Sequence, residues 1–232
     1  MDTVPSGDRH AMSPQMEMAR RMGAVVGDLK PLFQARGFRK RRNTFNRETE
    51  PGLVHVVAFA MGRYELYGEP HDPFSGEYGF FWISFGVYVE EIAQRLGGGY
   101  GGRRDFVTEP DCELRVQSGM TRDAPRQGWY LGEEPEHLVA DATAFLEGTV
   151  FPYLDRLSSR DAILREWERA PERVPLSRGR LALAMLHLER GNVEQAVDLV
   201  HRHLQVGDYH PSHRDWVMRN VVPQLGERAA SF

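Results

Sequence analysis

The apolar positions along the chain follow two periods in turn. Met18, Met22, Val25, Val26, Leu29, Leu32 and Phe33 recur about every 3.6 residues, while Arg20, Arg21, Asp28 and Lys30 fall largely off that stripe. This pattern predicts an amphipathic helix. Pro31 has no backbone donor and is expected to bend its last turns, and Gly37 is placed to end it in a left-handed turn. Residues 39–48 are strand-compatible around Phe45, and Thr49, Glu50, Pro51 and Gly52 punctuate a hairpin. The run LVHVVAFAM at 53–61 is nearly apolar on both faces, as expected of a central strand covered on each side. A third strand is expected over 78–90, carrying Phe80, Phe81, Trp82, Ile83, Phe85, Val87 and Val89. Between these strands lies a polar and aromatic loop with Tyr64, Tyr67, His71 and Phe74.

After a glycine-rich break at 97–105, short strands are expected at 112–117 and around Trp129, Tyr130 and Leu131. The helical period then returns. Leu138, Ala142, Phe145, Leu146 and Val150 give a stripe over 135–157, interrupted by Pro152, and Ser158 or Ser159 is placed to cap a short helix over 161–170. Three more helices follow: one through Leu181 to Leu188, one through Val193 to Leu204 after a turn at Gly191 and Asn192, and one over 212–225. Helix, antiparallel strands, helices is the α+β order. The expectation is therefore an antiparallel sheet of four or five strands packed with helices, followed by a small C-terminal helical bundle. Pro171 and Pro175 mark the boundary, giving a flexible leader at 1–14, an α+β domain at 15–170 and a helical appendix at 175–232.

Composition narrows the setting. The chain has 232 residues, 41% hydrophobic and 27% charged, which are globular values. One cysteine, Cys112, excludes an intramolecular disulfide and a Cys-x-x-Cys metal site. The first residues lack the basic start and apolar run of a signal peptide, and the most apolar stretch is about half the ~20 residues a spanning helix needs. Elimination leaves a cytoplasmic expectation with no membrane partner. The net charge of -4 argues against a chain devoted to polyanions.

Several phrases resemble a known family. The segment GFRKRRNTFNRE at 37–48 follows a helix containing LKPLF. With FGVYV, DCELR, GWYL and FPYLDRL further on, it resembles a bacterial family called domain of unknown function 4304 over residues 14–170. That resemblance implies the fold and supplies no reaction. The segment LALAMLHLERGNVEQAVDLVHRHL is similar to one tetratricopeptide helix pair, with Ala184 and Ala196 allowing close packing. A single such unit reads as a docked hairpin, since arrays need about three repeats.

Chemical signatures are sparse. Gly97, Gly99 and Gly102 satisfy G-x-G-x-x-G, but no helical stripe follows, so a surface loop is the better account. His201, His203, His210 and His213 gather near Asp208 and Asp215, yet His201 and His203 diverge on a helix and no His-Glu-x-x-His motif exists. Cys112 reads as a small buried thiol, and pairs such as Glu90-Glu91 read as charged surface. No cofactor and no metal is expected.

Arg39, Lys40, Arg41 and Arg42 are the most distinctive charge feature. In one continuous strand Arg39, Arg41 and Arg47 would share a face and form an anionic-ligand surface, or else protect a sheet edge from aggregation. Arg47 and Arg115, if turned inward, each require a carboxylate partner. Tyr64, Tyr67 and Phe74 suit recognition. The expected function is a non-enzymatic intracellular protein-binding module, regulatory or toxin-neutralising. The alternatives are a nucleic-acid-associated protein using the basic hairpin 39–47, or an enzyme with an unrecognised site marked by a concave polar pocket.

Overall fold

In the computed structural model, which describes residues 13–62, 79–96, 105–112, 114–117, 128–169, 176–205 and 210–232, the first helix is split in two. Helix α1 runs Pro14–Asp28 and α2 runs Lys30–Ala35. Ser13 caps α1 by accepting the Met16 amide at 3.3 Å. The break at Leu29 falls just ahead of Pro31, whose missing N–H cannot continue the ladder. Gly37, with φ of 79°, ends α2 in the left-handed region, and the Phe38 amide closes on the Phe33 carbonyl at 3.0 Å.

The sheet contains β1 (Arg39–Arg41), β2 (Thr44–Glu50), β3 (Leu53–Met61), β4 (Phe80–Val89), β5 (Leu114–Gln117) and β6 (Trp129–Tyr130). Its order is β1-β2-β3-β4-β5, each pair antiparallel, with β6 pairing the start of β4. The fold is α+β. Segment 39–48 forms two strands instead of one, because the chain reverses at Arg42 and Asn43. Arg42 takes a φ of 54°, the left-handed value a two-residue hairpin turn demands.

One face of the sheet is roofed by helices. Phe45, Val57, Phe59, Phe81, Ile83, Phe85 and Val87 alternate onto that face and are buried against α1 and α4 (Pro135–Phe145). Phe33 of α2 stacks on Phe45 with centroids 3.8 Å apart, and burying one such ring contributes roughly 1.5–3 kcal/mol. A π-helical turn at 146–150 joins α4 to α5 (Phe151–Arg156). Pro152 lacks the amide that would complete the regular ladder there.

Helix α3 (Glu90–Arg95) leaves the end of β4. Helix α6 (Arg160–Arg169) is capped by Ser159, whose Oγ accepts the Ala162 amide at 3.1 Å. Arg160 ties it to the β2–β3 turn through Glu50 at 3.0 Å and the Pro51 carbonyl at 3.1 Å, and to α3 through the Glu91 carboxylate. The C-terminal helices are α7 (Leu176–Glu189), α8 (Val193–Gln205) and α9 (Pro211–Asn220), ending in a 3₁₀ stretch at Val222–Ser231. Leu181 to Leu186 are six consecutive buried residues, so this middle part of α7 is enclosed on all sides. Arg95 of α3 meets Glu189 at 2.7 Å, and Gln224 donates to the Arg95 carbonyl at 2.8 Å. One apolar cluster extends from Met22 to Leu225. Among the described residues no helix is long and apolar enough to cross a membrane.

Candidate functional site

The opposite face of the sheet is less fully roofed. Side chains alternate along a strand, so the partners of the helix-facing set point the other way. Val56, Tyr88, Val107 and Cys112 form a second, smaller cluster there, flanked by Val54 and Ala93. The segment carrying Val107 is shaped locally by a capping box, in which the Asp111 carboxylate accepts the Thr108 amide at 2.9 Å and its hydroxyl at 2.6 Å. Gly86 makes the approach of this segment feasible. A Cβ there would meet the Leu114 carbonyl oxygen inside contact distance and come within 3.0 Å of the Cys112 Cβ.

Beside this cluster lies a cavity of about 380 Å³. Its polar wall is Arg39, Asn46, Glu48, Glu90 and Asp105. Val54, Tyr88, Phe106 and Val107 supply the apolar part. The strand register explains the assembly: Arg39 pairs with Asn46, Asn46 with Val56, and Glu48 with Val54, all on this one face. Gly52 completes the wall at the β2–β3 turn, with φ of 75°. Its amide donates to Glu48 at 3.1 Å, and a Cβ on it would lie 2.7 Å from the Glu90 carboxylate. Glycine therefore keeps room for that carboxylate. Asn46 is 3% exposed, and its Oδ1 is buried without a hydrogen-bond partner. Among the described lining residues three carboxylates stand with the Arg39 guanidinium, and the Arg160 guanidinium approaches the same wall beside Gly52.

Arg39 and Arg41 share this face, whereas Arg47 does not. The reversal at Arg42 and Asn43 places Arg47 opposite His55, on the helix side. There its Nη2 donates to Asp155 at 2.5 Å and to His55 Nδ1 at 3.0 Å, with the guanidinium 4.9 Å from the Phe38 ring centroid. Arg36 adds a contact to Asp155 at 3.8 Å and lies over Phe151 at 4.2 Å. His55 has no exposed surface, and its other nitrogen, Nε2, meets the Leu157 carbonyl at 3.1 Å. Burial, with the Arg47 charge beside it, pushes its pKa down to about 4 despite that backbone bond. This network fastens α5 to the sheet, and Asp155 is the carboxylate partner an inward Arg47 requires.

Arg115 stands at the far end of the row Arg39–Asn46–Val56–Gly86–Arg115. Four strand spacings put its backbone roughly 19 Å from that of Arg39. Its side chain is 55% exposed and pairs with Glu109 at 3.7 Å, so it does not join the cavity. Arg41 is exposed, with its guanidinium 6.0 Å from the Phe106 ring. Tyr64, Tyr67 and Phe74 lie outside the described residues, as do His71 and the glycine-rich run 97–104.

Two of the late histidines meet, and the other two stand apart. His203 and His213 bring their Nε2 atoms to 2.9 Å. His201 stacks on Phe232 at 3.8 Å, and His210 caps α9 by accepting the Ser212 amide at 3.3 Å. Among the described residues no group of three or more metal-ligating side chains occurs. The buried Cys112 thiol donates toward the Thr108 carbonyl at 3.8 Å. Glu91, raised by burial, is pulled below the ordinary carboxylate range by hydrogen bonds and charge from Arg160.

Sequence reasoning did not single out Asn46, Glu48 or Asp105. A signal existed for the first two: Thr44, Asn46 and Glu48 form a polar stripe on one side of a strand whose other side holds Phe45. No protein-family model, no curated protein and no solved structure matches this chain.

Proposed function

We propose that the chain is a binding module that engages another protein through the sheet face carrying Arg39, Asn46 and Tyr88. The observation that carries this reading is the cavity of about 380 Å³, where charged, amide and aromatic groups converge beside an exposed sheet edge. Strand β1 supports face binding over edge pairing. It is three residues long and exposed throughout, and its Arg-Lys-Arg sequence opposes the addition of another strand. A partner side chain entering the cavity would supply a buried anchor of the kind that dominates interface energetics.

The test is capture of partners by the tagged full chain, in parallel with the double variant Glu48→Lys, Asp105→Lys, each with and without nuclease. One stoichiometric protein that survives nuclease and is lost with the variant is the expected result. Capture that the variant leaves unchanged would rule the face out.

A second reading rests on the exposure of all four basic residues 39–42. It makes this edge a nucleic-acid contact, with affinity falling steeply as salt rises. Glu48, Glu90 and Asp105 stand beside that edge and oppose a polyanion, which places this reading second.

A further inference from the structure

The chain carries a net charge of -4, yet four cations stand in a row at Arg39, Lys40, Arg41 and Arg42. All four are exposed. Elsewhere the fold sets arginines against carboxylates, as at Arg47 with Asp155, Arg95 with Glu189 and Arg160 with Glu91. Among the described residues none of the four edge cations makes such a pair. Like charges this close lie within one screening length and repel each other, and an arriving anion relieves that repulsion. The strand offers the anion its side chains and little of its backbone. The two-residue turn makes Arg41 and Thr44, then Arg39 and Asn46, the bonded pairs of the ladder. The Phe59 amide on the Asn43 carbonyl at 2.9 Å sets the same phase from the β3 side. Within β1 only Lys40 therefore turns its amide and carbonyl to the open edge, too little to hold a further strand.

We propose that this edge docks an acidic segment of a partner protein, whose carboxylates engage the side chains of Arg39, Lys40, Arg41 and Arg42. The inference rests on the face-binding reading above and names the charge that the partner brings to the rim of that face. Charge complementarity selects an anion, and a guanidinium fork suits a carboxylate. Two features select a protein over a nucleic acid. Phe45 has no exposed surface and Tyr88 is 4% exposed, so these rings beside the edge offer no platform for stacked bases. Phe106 is half-buried, with Arg41 already 6.0 Å from its ring. The second feature is the row of carboxylates, Glu48, Glu90 and Asp105, that stands beside Arg39. A phosphate backbone carries a charge at every nucleotide and meets those carboxylates as it runs past. A folded partner places a few carboxylates over Arg41 and Arg42 and leaves the acidic wall to its other groups.

The direct probe is a peptide of alternating glutamate and glycine with four carboxylates and blocked ends, titrated into the full chain and followed by amide chemical shifts. Its comparison is an oligothymidylate with the same number of charges. Saturable shifts at residues 39–42 are expected, with the peptide bound more tightly than the oligonucleotide. Its affinity is expected to fall roughly tenfold as salt rises from about 50 to about 300 mM. The double variant Arg39→Gln, Arg41→Gln keeps the aliphatic stems, and is expected to bind the peptide about fivefold less tightly or worse. Arg165→Gln removes one exposed cation from α6 and is expected to leave binding unchanged.

Arg42→Gly separates binding from structure. Arg42 holds a φ of 54°, which glycine adopts without strain, so thermal stability is expected to hold or rise while the peptide binds about two- to fivefold less tightly. Tighter binding of the oligonucleotide would make the edge a nucleic-acid contact, and shifts at 39–42 that follow protein concentration alone would assign it to a second copy. Either result overturns the proposal. So would the absence of a saturable shift at the edge, or an equal loss in Arg165→Gln. If partner capture is lost in the Glu48→Lys, Asp105→Lys variant but unchanged in Arg39→Gln, Arg41→Gln, the acidic-segment assignment falls and the face-binding reading stands. If capture is lost only in Arg39→Gln, Arg41→Gln, the edge stands and the face-binding reading falls. Capture that ignores both variants removes both.

Discussion

His55 is enclosed by protein, yet both of its ring nitrogens are engaged. Arg47 can only donate, so Nδ1 must accept, and Nε2 carries the single proton given to the Leu157 carbonyl. A second proton would place a cation against Arg47 and break that bond. Burial pushes the pKa from 6.5 to about 4, whereas the unfolded chain titrates near the ordinary value. Between those limits the unfolded state binds more protons, so stability is full above about pH 6.5 and is lost as pH falls toward 4. The whole span is on the order of 3 kcal/mol. His203, pushed to about 4 by burial and then by His213 and Arg180, adds loss in the same window. His55→Leu is expected to be less stable than the parent at pH 7, since Arg47 and Leu157 lose a partner, but to show a shallower decline between pH 6.5 and 4. Urea unfolding across that range is the measurement, and parallel pH curves for the two proteins would contradict a neutral buried His55.

At the level of single elements, glycines make opposite predictions according to where they sit. Gly86 faces the β5 backbone, and a methyl group there would collide with the Leu114 carbonyl, the Cys112 side chain and the Arg115 Cα. Gly86→Ala is expected to cost about 1–3 kcal/mol or more, read as a lower urea midpoint. Gly23 lies inside α1 with nothing within 4 Å of an added Cβ, so Gly23→Ala is expected to stabilise by roughly 0.5–1 kcal/mol. The helices were legible because a 3.6-residue stripe such as Met22, Val25, Val26 and Leu29 states which side is buried. Strands β3 and β4 were legible from their apolar runs. The face assignment of the basic segment was not. It depends on a reversal at Arg42 and Asn43, where no glycine announces the turn and arginine itself takes the left-handed conformation. A continuous strand would have put Arg39, Arg41 and Arg47 together. The hairpin instead sends Arg39 toward Asn46 and Arg47 toward His55 and Asp155. The cavity was hidden for the same reason: its wall comes from β1, β2, the turn at Gly52, the start of α3 and residues 105–107, which only the register unites.

Across the whole molecule, proline positions near 171 and 175 read as a boundary, but the apolar core passes through both sides of it. Ile92 and Leu96 belong to the same buried cluster as Leu181, Met185, Val217 and Leu225. Polar contacts reinforce this junction, with Arg95 bound to Glu189 and Gln224 and the Arg95 carbonyl receiving the Gln224 amide. Elements that share one core lose their burial together, which is the physical basis of a single cooperative transition. Calorimetry on the full chain is expected to give one peak whose calorimetric and van't Hoff enthalpies agree. Arg95→Ala removes contacts to both Glu189 and Gln224 and is expected to lower that one transition without splitting it. Two separate transitions, or a variant in which the C-terminal helices melt first, would mean that residues 176–232 form an independent unit, with the apolar junction contributing less than its burial implies.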